Sequence, residues 1–212
     1  RQTCNMLIKI KLVIIAIASL YLVGCASPLT VEESAPNVKV SNDIDAISIA
    51  VLDQRPYVLN NDKEASFEGV VRSTFGIPYS YSTVTNEPMA TFLGQRLEYG
   101  IEQNGVDVMQ YDTTTATVLA DLMAELNSDD RPSILIELNE WKYDFHAFAD
   151  SSWYDVSVTV SDASGQNTIT KQFVGENDIP DSGVIFNEMM QIYKARFEEI
   201  FSDPELTNVL KN

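Results

Sequence analysis

The chain has 212 residues, with 31 Asp and Glu against 14 Lys and Arg, a formal net charge of −17, one histidine and two cysteines. An acidic balance of this size excludes a surface built to neutralise phosphates, so nucleic acid is not an expected partner, and it provides no attraction to anionic headgroups. A single imidazole and two thiols also exclude a His/Cys metal centre and a disulfide framework.

Lys9 and Lys11 precede an uncharged apolar run over residues 12–23, and Leu22, Val23, Gly24 and Cys25 close it as a lipobox-like tetrapeptide. The run is shorter than the roughly 20 residues a membrane span requires, is basic only on its N-terminal side and is followed by small residues and Pro28, so it reads as a secretory signal. Met6 opens a conventional basic n-region, which places the start at Met6 and leaves Cys4 outside the processed protein. Residues 1–24 are thus the expected signal peptide and Cys25 the expected lipidation site. Resemblance to bacterial lipoproteins implies a covalent diacylglycerol with palmitate-type chains on Cys25, no other cofactor, and the bilayer as first partner. Ala26, standing where Asp would retain the protein elsewhere, resembles the Gram-negative pattern that sorts to the outer membrane. Cleavage would remove Arg1, Lys9 and Lys11 and no acid, leaving 11 basic against 31 acidic residues, a balance of −20, and no thiol free for a disulfide.

Residues 26–42 contain two prolines, two adjacent acids and no apolar periodicity, and read as a flexible tether. From Ile44 the pattern becomes Ile44, Ile47, Ile49 and Val51 with small residues between, a buried strand ending at Leu52 and closed by Asp53-Gln54-Arg55-Pro56. Phe67-Glu68-Gly69-Val70-Val71-Arg72 predicts a second strand placed to pair with the first. Residues 73–85, rich in Ser, Thr, Tyr, Gly and Pro, read as a long surface loop. Thr85-Asn86-Glu87-Pro88 opens the clearest helix, in which Met89, Phe92, Leu93, Leu97 and Ile101 keep the spacing of one buried face until Asn104-Gly105. Val106-Asp107-Val108-Met109 is a short strand, so strand, helix, strand predicts a crossover onto a sheet. Residues 115–127 predict a second amphipathic helix through Val118, Leu119, Leu122, Met123 and Leu126.

Ile134, Ile136 and Leu138 alternate on one parity while Trp141, Tyr143 and Phe145 follow the other, which predicts a bulge near Asn139-Glu140. In the next strand Tyr154, Val156, Val158 and Val160 face inward. A turn over residues 161–166 leads to a strand over residues 168–174, whose Lys171 between Ile169 and Phe173 marks it as a poorly covered or edge strand. A last helix over residues 182–201 buries Ile185, Met189, Ile192, Phe197, Ile200 and Phe201, and a short segment after Pro204 docks or frays. The expected architecture is one α/β (α+β) domain over residues 43–212, with a mixed sheet and about three helices mainly on one face.

The chain contains no Gly-x-Ser-x-Gly elbow, phosphate-binding glycine loop, His-Glu-x-x-His helix or calcium loop, and His146 is its sole histidine. Asp129-Asp130 and Glu198-Glu199 point to different faces or sit in a turn and form no acid/base pair. Catalytic residues and metal ligands are therefore not expected. Two guanidiniums stand out. Arg55 closes the first strand and Arg72 opens the long loop, and each either clamps a ligand with paired donors or pairs with Asp53 or a nearby Glu and pins the loop. Because Arg and aromatic residues concentrate at interfaces, Asp53, Arg55, Arg72, Phe75, Tyr79 and Tyr81 are the candidate partner-binding residues.

The lipobox, the strand ending in Asp53-x-Arg55-Pro56, the Arg72-x-x-x-Gly76 loop and the unit from Leu93 and Leu97 through Ile101 to Gly105 together resemble YajG-type lipoproteins over residues 25–109. The resemblance implies an outer-membrane lipoprotein with a compact α/β domain and no assigned catalysis. The expected role is a non-catalytic binding domain at the periplasmic side of the outer membrane, serving an envelope protein partner. A carrier of lipid or amphiphile, and an envelope hydrolase acting through acids such as Asp53, are the alternatives.

Overall fold

The computed structural model describes residues 27–41, 43–146, 150–180 and 183–210; the expected signal peptide and Cys25 lie outside the described residues. In chain order the elements are α1 (Val31–Ser34), β1 (Ala46–Asp53), α2 (Pro56–Leu59), β2 (Phe67–Arg72), β3 (Pro78–Ser82), α3 (Met89–Glu102), β4 (Asp107–Tyr111), α4 (Leu119–Asn127), β5 (Ser133–Phe145), β6 (Ser151–Ser161), β7 (Thr168–Asp178), α5 (Ile185–Ile200) and α6 (Pro204–Val209).

β1 is apolar on both parities because both of its faces are covered. Ile47, Ile49 and Val51 enter the main core, while Ala50 and Leu52 enter a smaller one on the opposite face. β4 and β5 flank β1 in parallel, with Ile47 opposite Val108 and Val51 opposite Ile136. Crossovers join them as the strand-helix-strand pattern requires: α3 runs over the main core, and α4 returns on the other face, where Leu122 and Leu126 cover Leu52 and Leu135. Val118 and Leu119, expected on the buried face of that second helix, are instead exposed, and the helix begins only at Leu119.

β5 is long enough to serve three neighbours. β6 pairs antiparallel along nearly its whole length, with a register shift between Leu138 and Glu140 at the expected bulge, and β7 closes the far side as an edge strand. On the other edge β1 accompanies β5 as far as Leu138, and β2 takes its place in parallel from Tyr143. The result is a single domain of α+β class, a curled mixed sheet of seven strands with six described helices. α5 lies on the same face as α3 and buries Met189, Met190, Tyr193, Phe197 and Ile200. Its Phe197 stacks on Trp141 at 5.6 Å, and Tyr193 meets the same ring at 5.0 Å. The segment after Pro204 docks: Asp203 caps α6, Leu206 is fully buried, and Lys171 on edge strand β7 reaches Asp203 at 2.6 Å.

Three expectations are corrected. The second strand pairs with β3 and β5, not with the first. Residues 73–85 are not simply a loop, because Gly76 at φ +80° closes a turn onto Ser73 and returns the chain as β3. Pro78 stands at the first position of that strand, where its missing N–H costs no ladder bond.

The third concerns the segment read as a tether. Its described part, residues 27–41, is packed into the groove between α3 and α5. Thr30 and Glu33 form a capping box on α1, and Ser34, Ala35 and Val38 are buried. Arg96 donates to Ser34 Oγ (2.9 Å), the Asn37 amide donates to Glu198 (2.9 Å), and Asn104 donates to the Val38 carbonyl (3.0 Å). Gly100 is what lets the chain lie this close, since a Cβ there would stand 2.0 Å from the Pro36 oxygen. Gly100→Ala is therefore expected to expel Pro36 and cost about 1–3 kcal/mol in chemical denaturation. Limited proteolysis should then cut within residues 27–41 of the variant and spare the parent; an uncut variant of unchanged stability would contradict the docking.

Candidate functional site

The site is organised by the point where β5 changes neighbours. Residues 139–142 have no strand on that edge, and the gap is bridged by side chains from the turn after β1. Arg55, with 0 % exposure, places Nε and Nη2 on the two oxygens of Asp53 (2.8 and 2.7 Å). Its Nη1 donates to the carbonyls of Phe67 (2.7 Å) and Trp141 (3.1 Å), and Nη2 also reaches the Ala65 carbonyl at 3.1 Å. All five donors are thus engaged, a geometry that only the planar guanidinium fork supplies. Tyr57 adds bonds from its hydroxyl to Glu140 (2.8 Å) and to the Trp141 carbonyl (3.2 Å), and burial keeps that hydroxyl protonated far above its ordinary range. Asp53 and Arg55 are accordingly corrected from partner-binding candidates to an internal clasp: both are buried and engage each other.

What the clasp holds is the β2–β3 hairpin, and here the remaining candidates come together. Arg72, at the end of β2, grips Asp144 of β5 through Nε (2.7 Å) and Nη2 (2.5 Å). The turn beyond it carries Phe75, 92 % exposed, followed by exposed Ile77, Tyr79 and Tyr81. Among the described residues β3 pairs with no strand but β2, so its outer edge is open. Arg72, Gly76, Asp144, His146, Ser151 and Trp153 line a shallow cavity of about 380 Å³ at the foot of the turn. Pro-Tyr-Ser-Tyr-Ser alternation and the turn glycine were the signals for this hairpin, and its position against Asp144 and Trp153 had none. Among the described residues no group of three or more His, Cys, Asp or Glu is placed to hold a metal ion.

Beneath the hairpin lies a buried acid that sequence reasoning did not single out. The register shift between Phe67 and Gly69 turns Glu68 inward, leaving it 2 % exposed. Burial pushes its carboxyl up to about 7, against the opposing pull of Tyr193 on α5, Arg96 on α3 and Arg55.

No protein-family model and no curated protein sequence matches the chain. Among solved structures it is similar to an uncharacterized protein (TM-score 0.43, 11 % identity, covering 82 % of this chain and 94 % of the other). It is also similar to the hypothetical protein CT253 from Chlamydia trachomatis (TM-score 0.41, 11 % identity, 79 % and 98 %) and to the lipoprotein GNA1162 from Neisseria meningitidis (TM-score 0.35, 10 % identity, 74 % and 99 %).

Two substitutions test the interior of the site. Arg55→Ala removes the guanidinium from a buried carboxylate and from three carbonyls, and breaking one side of a buried pair costs about 3–5 kcal/mol. Arg55→Lys should recover only part of that loss in urea denaturation, because an ammonium cannot fill the fork. A loss below about 1 kcal/mol, the range of exposed pairs, would contradict the clasp. For Glu68, the folded protein holds the proton more tightly than the unfolded chain does. Its contribution to stability is fully present below its ordinary 4.5 and is lost as pH rises to about 7. At about 1.4 kcal/mol per pH unit, stability of the parent relative to Glu68→Gln should fall by about 3 kcal/mol across that window. Parallel stability curves for the two proteins would refute the assignment.

Proposed function

We propose that this chain is a bacterial lipoprotein, held on the outer membrane by fatty chains on Cys25 and facing the periplasm, whose domain binds an envelope protein through the β2–β3 hairpin without catalysing a reaction. The observation that carries the binding reading is the hairpin: Phe75 and Ile77 on its turn and Tyr79 and Tyr81 on a strand with one open edge are exposed together, in a protein whose surface is otherwise strongly acidic. Contiguous apolar exposure of this kind marks an interaction surface. An open edge accepts a partner strand through main-chain bonds, and Tyr79 and Tyr81, at alternate positions, supply side-chain contacts on one face. Arg72 serves the surface by fixing the turn to Asp144 rather than by meeting the partner with a free charge.

The lipobox and the YajG-type resemblance of residues 25–109 support the location. The acidic surface leaves covalent chains, not electrostatics, as the membrane attachment. Two observations favour this reading over its alternatives. Asp53, the acid assigned to an envelope hydrolase, is engaged on both oxygens by Arg55. The space a lipid carrier would need between the sheet and α5 is filled by Trp141, Tyr193 and Phe197 packed ring on ring.

Cys25→Ser is expected to abolish labelling by a palmitate analogue and to move the protein from the membrane to the soluble fraction. Photo-crosslinking in vivo from Tyr79 or Tyr81 should capture one dominant envelope protein, and Phe75→Ser should weaken that capture. A scatter of abundant neighbours, unchanged by Phe75→Ser, would count against the hairpin as the binding surface.

A further inference from the structure

The docked N-terminal segment limits how far the domain can stand from whatever holds Cys25. Asn187, in the first turn of α5, grips the chain on both sides of Pro28: its Nδ2 donates to the Ser27 carbonyl (3.1 Å) and its Oδ1 accepts from the Leu29 amide (2.9 Å). From there the chain follows the α3–α5 groove, past Arg96 at Ser34, Gly100 at Pro36, Glu198 at Asn37 and Asn104 at Val38. Its course is therefore fixed from Ser27 onward.

Only Ala26 separates Ser27 from Cys25, and two steps of the backbone reach at most about 7 Å. Seventeen free residues, by contrast, would wander over about 20–25 Å as a random coil. We infer that the domain does not swing on a leash but is held flush against the lipid bilayer, with Ser27 and the N-terminal turn of α5 at the headgroups and the C-terminal end of α3, around Gln103, directed away. This inference rests on the lipidation of Cys25 proposed above. The short covalent link and the groove define the orientation.

The test uses the full chain processed in cells, with Cys25 acylated, reconstituted into phosphatidylcholine vesicles containing a headgroup-nitroxide lipid. A bimane fluorophore is attached either at Gln191→Cys, one turn beyond Asn187 on α5, or at Gln103→Cys; both positions are exposed. Quenching is expected to be several-fold stronger at position 191 than at 103. Gly100→Ala, which expels Pro36, should bring the two towards equality, and Asn187→Ala provides the same comparison without disturbing α3. Equal quenching at the two positions of the parent, or a difference that survives both undocking variants, would overturn the inference while leaving lipidation intact. A parent that does not float with the vesicles, or a Cys25→Ser protein that floats equally well, would instead overturn the lipidation on which it rests.

Discussion

A guanidinium with every donor occupied allows one edge of β5 to serve two strands in succession. β1 leaves that edge after Leu138 and β2 joins it at Tyr143, and a sheet interrupted in this way exposes backbone acceptors inside the protein. Arg55 covers the interruption with bonds to Trp141, Phe67 and Ala65, and Asp53 compensates its charge. The position of the β2–β3 hairpin follows from this arrangement. So does the inward turn of Glu68, which immediately follows the Phe67 carbonyl that Arg55 binds.

Three of the cations are inside the protein. Arg55, Arg96 and Arg196 are all buried, yet of the three only Arg55 has a carboxylate in direct contact among the described residues. Arg96 lies over the Phe92 ring at 3.5 Å and bonds Ser34 and the Phe92 carbonyl. Arg196 lies between the rings of Trp141 and Tyr154 at 5.0 and 4.5 Å and bonds Asn177 and Ser152. Burial lowers both to about 10, which leaves them charged at neutral pH. Aromatic faces and neutral dipoles thus take the place of counterions. Glu68 shares this interior, and burial raises its pKa although Arg96 and Arg55 pull the other way.

Much of the architecture was legible in the chain. The spacing of Met89, Phe92, Leu93, Leu97 and Ile101 located α3, the doubly apolar Ile47–Leu52 run located the central strand, and the change of parity between Leu138 and Trp141 located the bulge. These signals are local and carried by large apolar side chains. What escaped was non-local. Asp53 and Arg55 look like a solvated turn until β5 is known to change neighbours beside them. Residues 27–41 look like a linker because small side chains, prolines and main-chain groups make most of their contacts. The decisive complement is the absence of a side chain at Gly100, some 64 positions away from Pro36 in a helix. Of the candidate site residues, Phe75, Tyr79 and Tyr81 are exposed and Asp53 and Arg55 are buried.

The groove that receives residues 27–41 is assembled from α3 and from α5, with partners as far as 161 positions apart. Nothing translated before α5 can complete it. Residues 27–41 therefore meet only the α3 half of their groove until α5 has been translated. Packing of α5 completes the groove, so the fold itself sets the moment at which this segment can be sequestered.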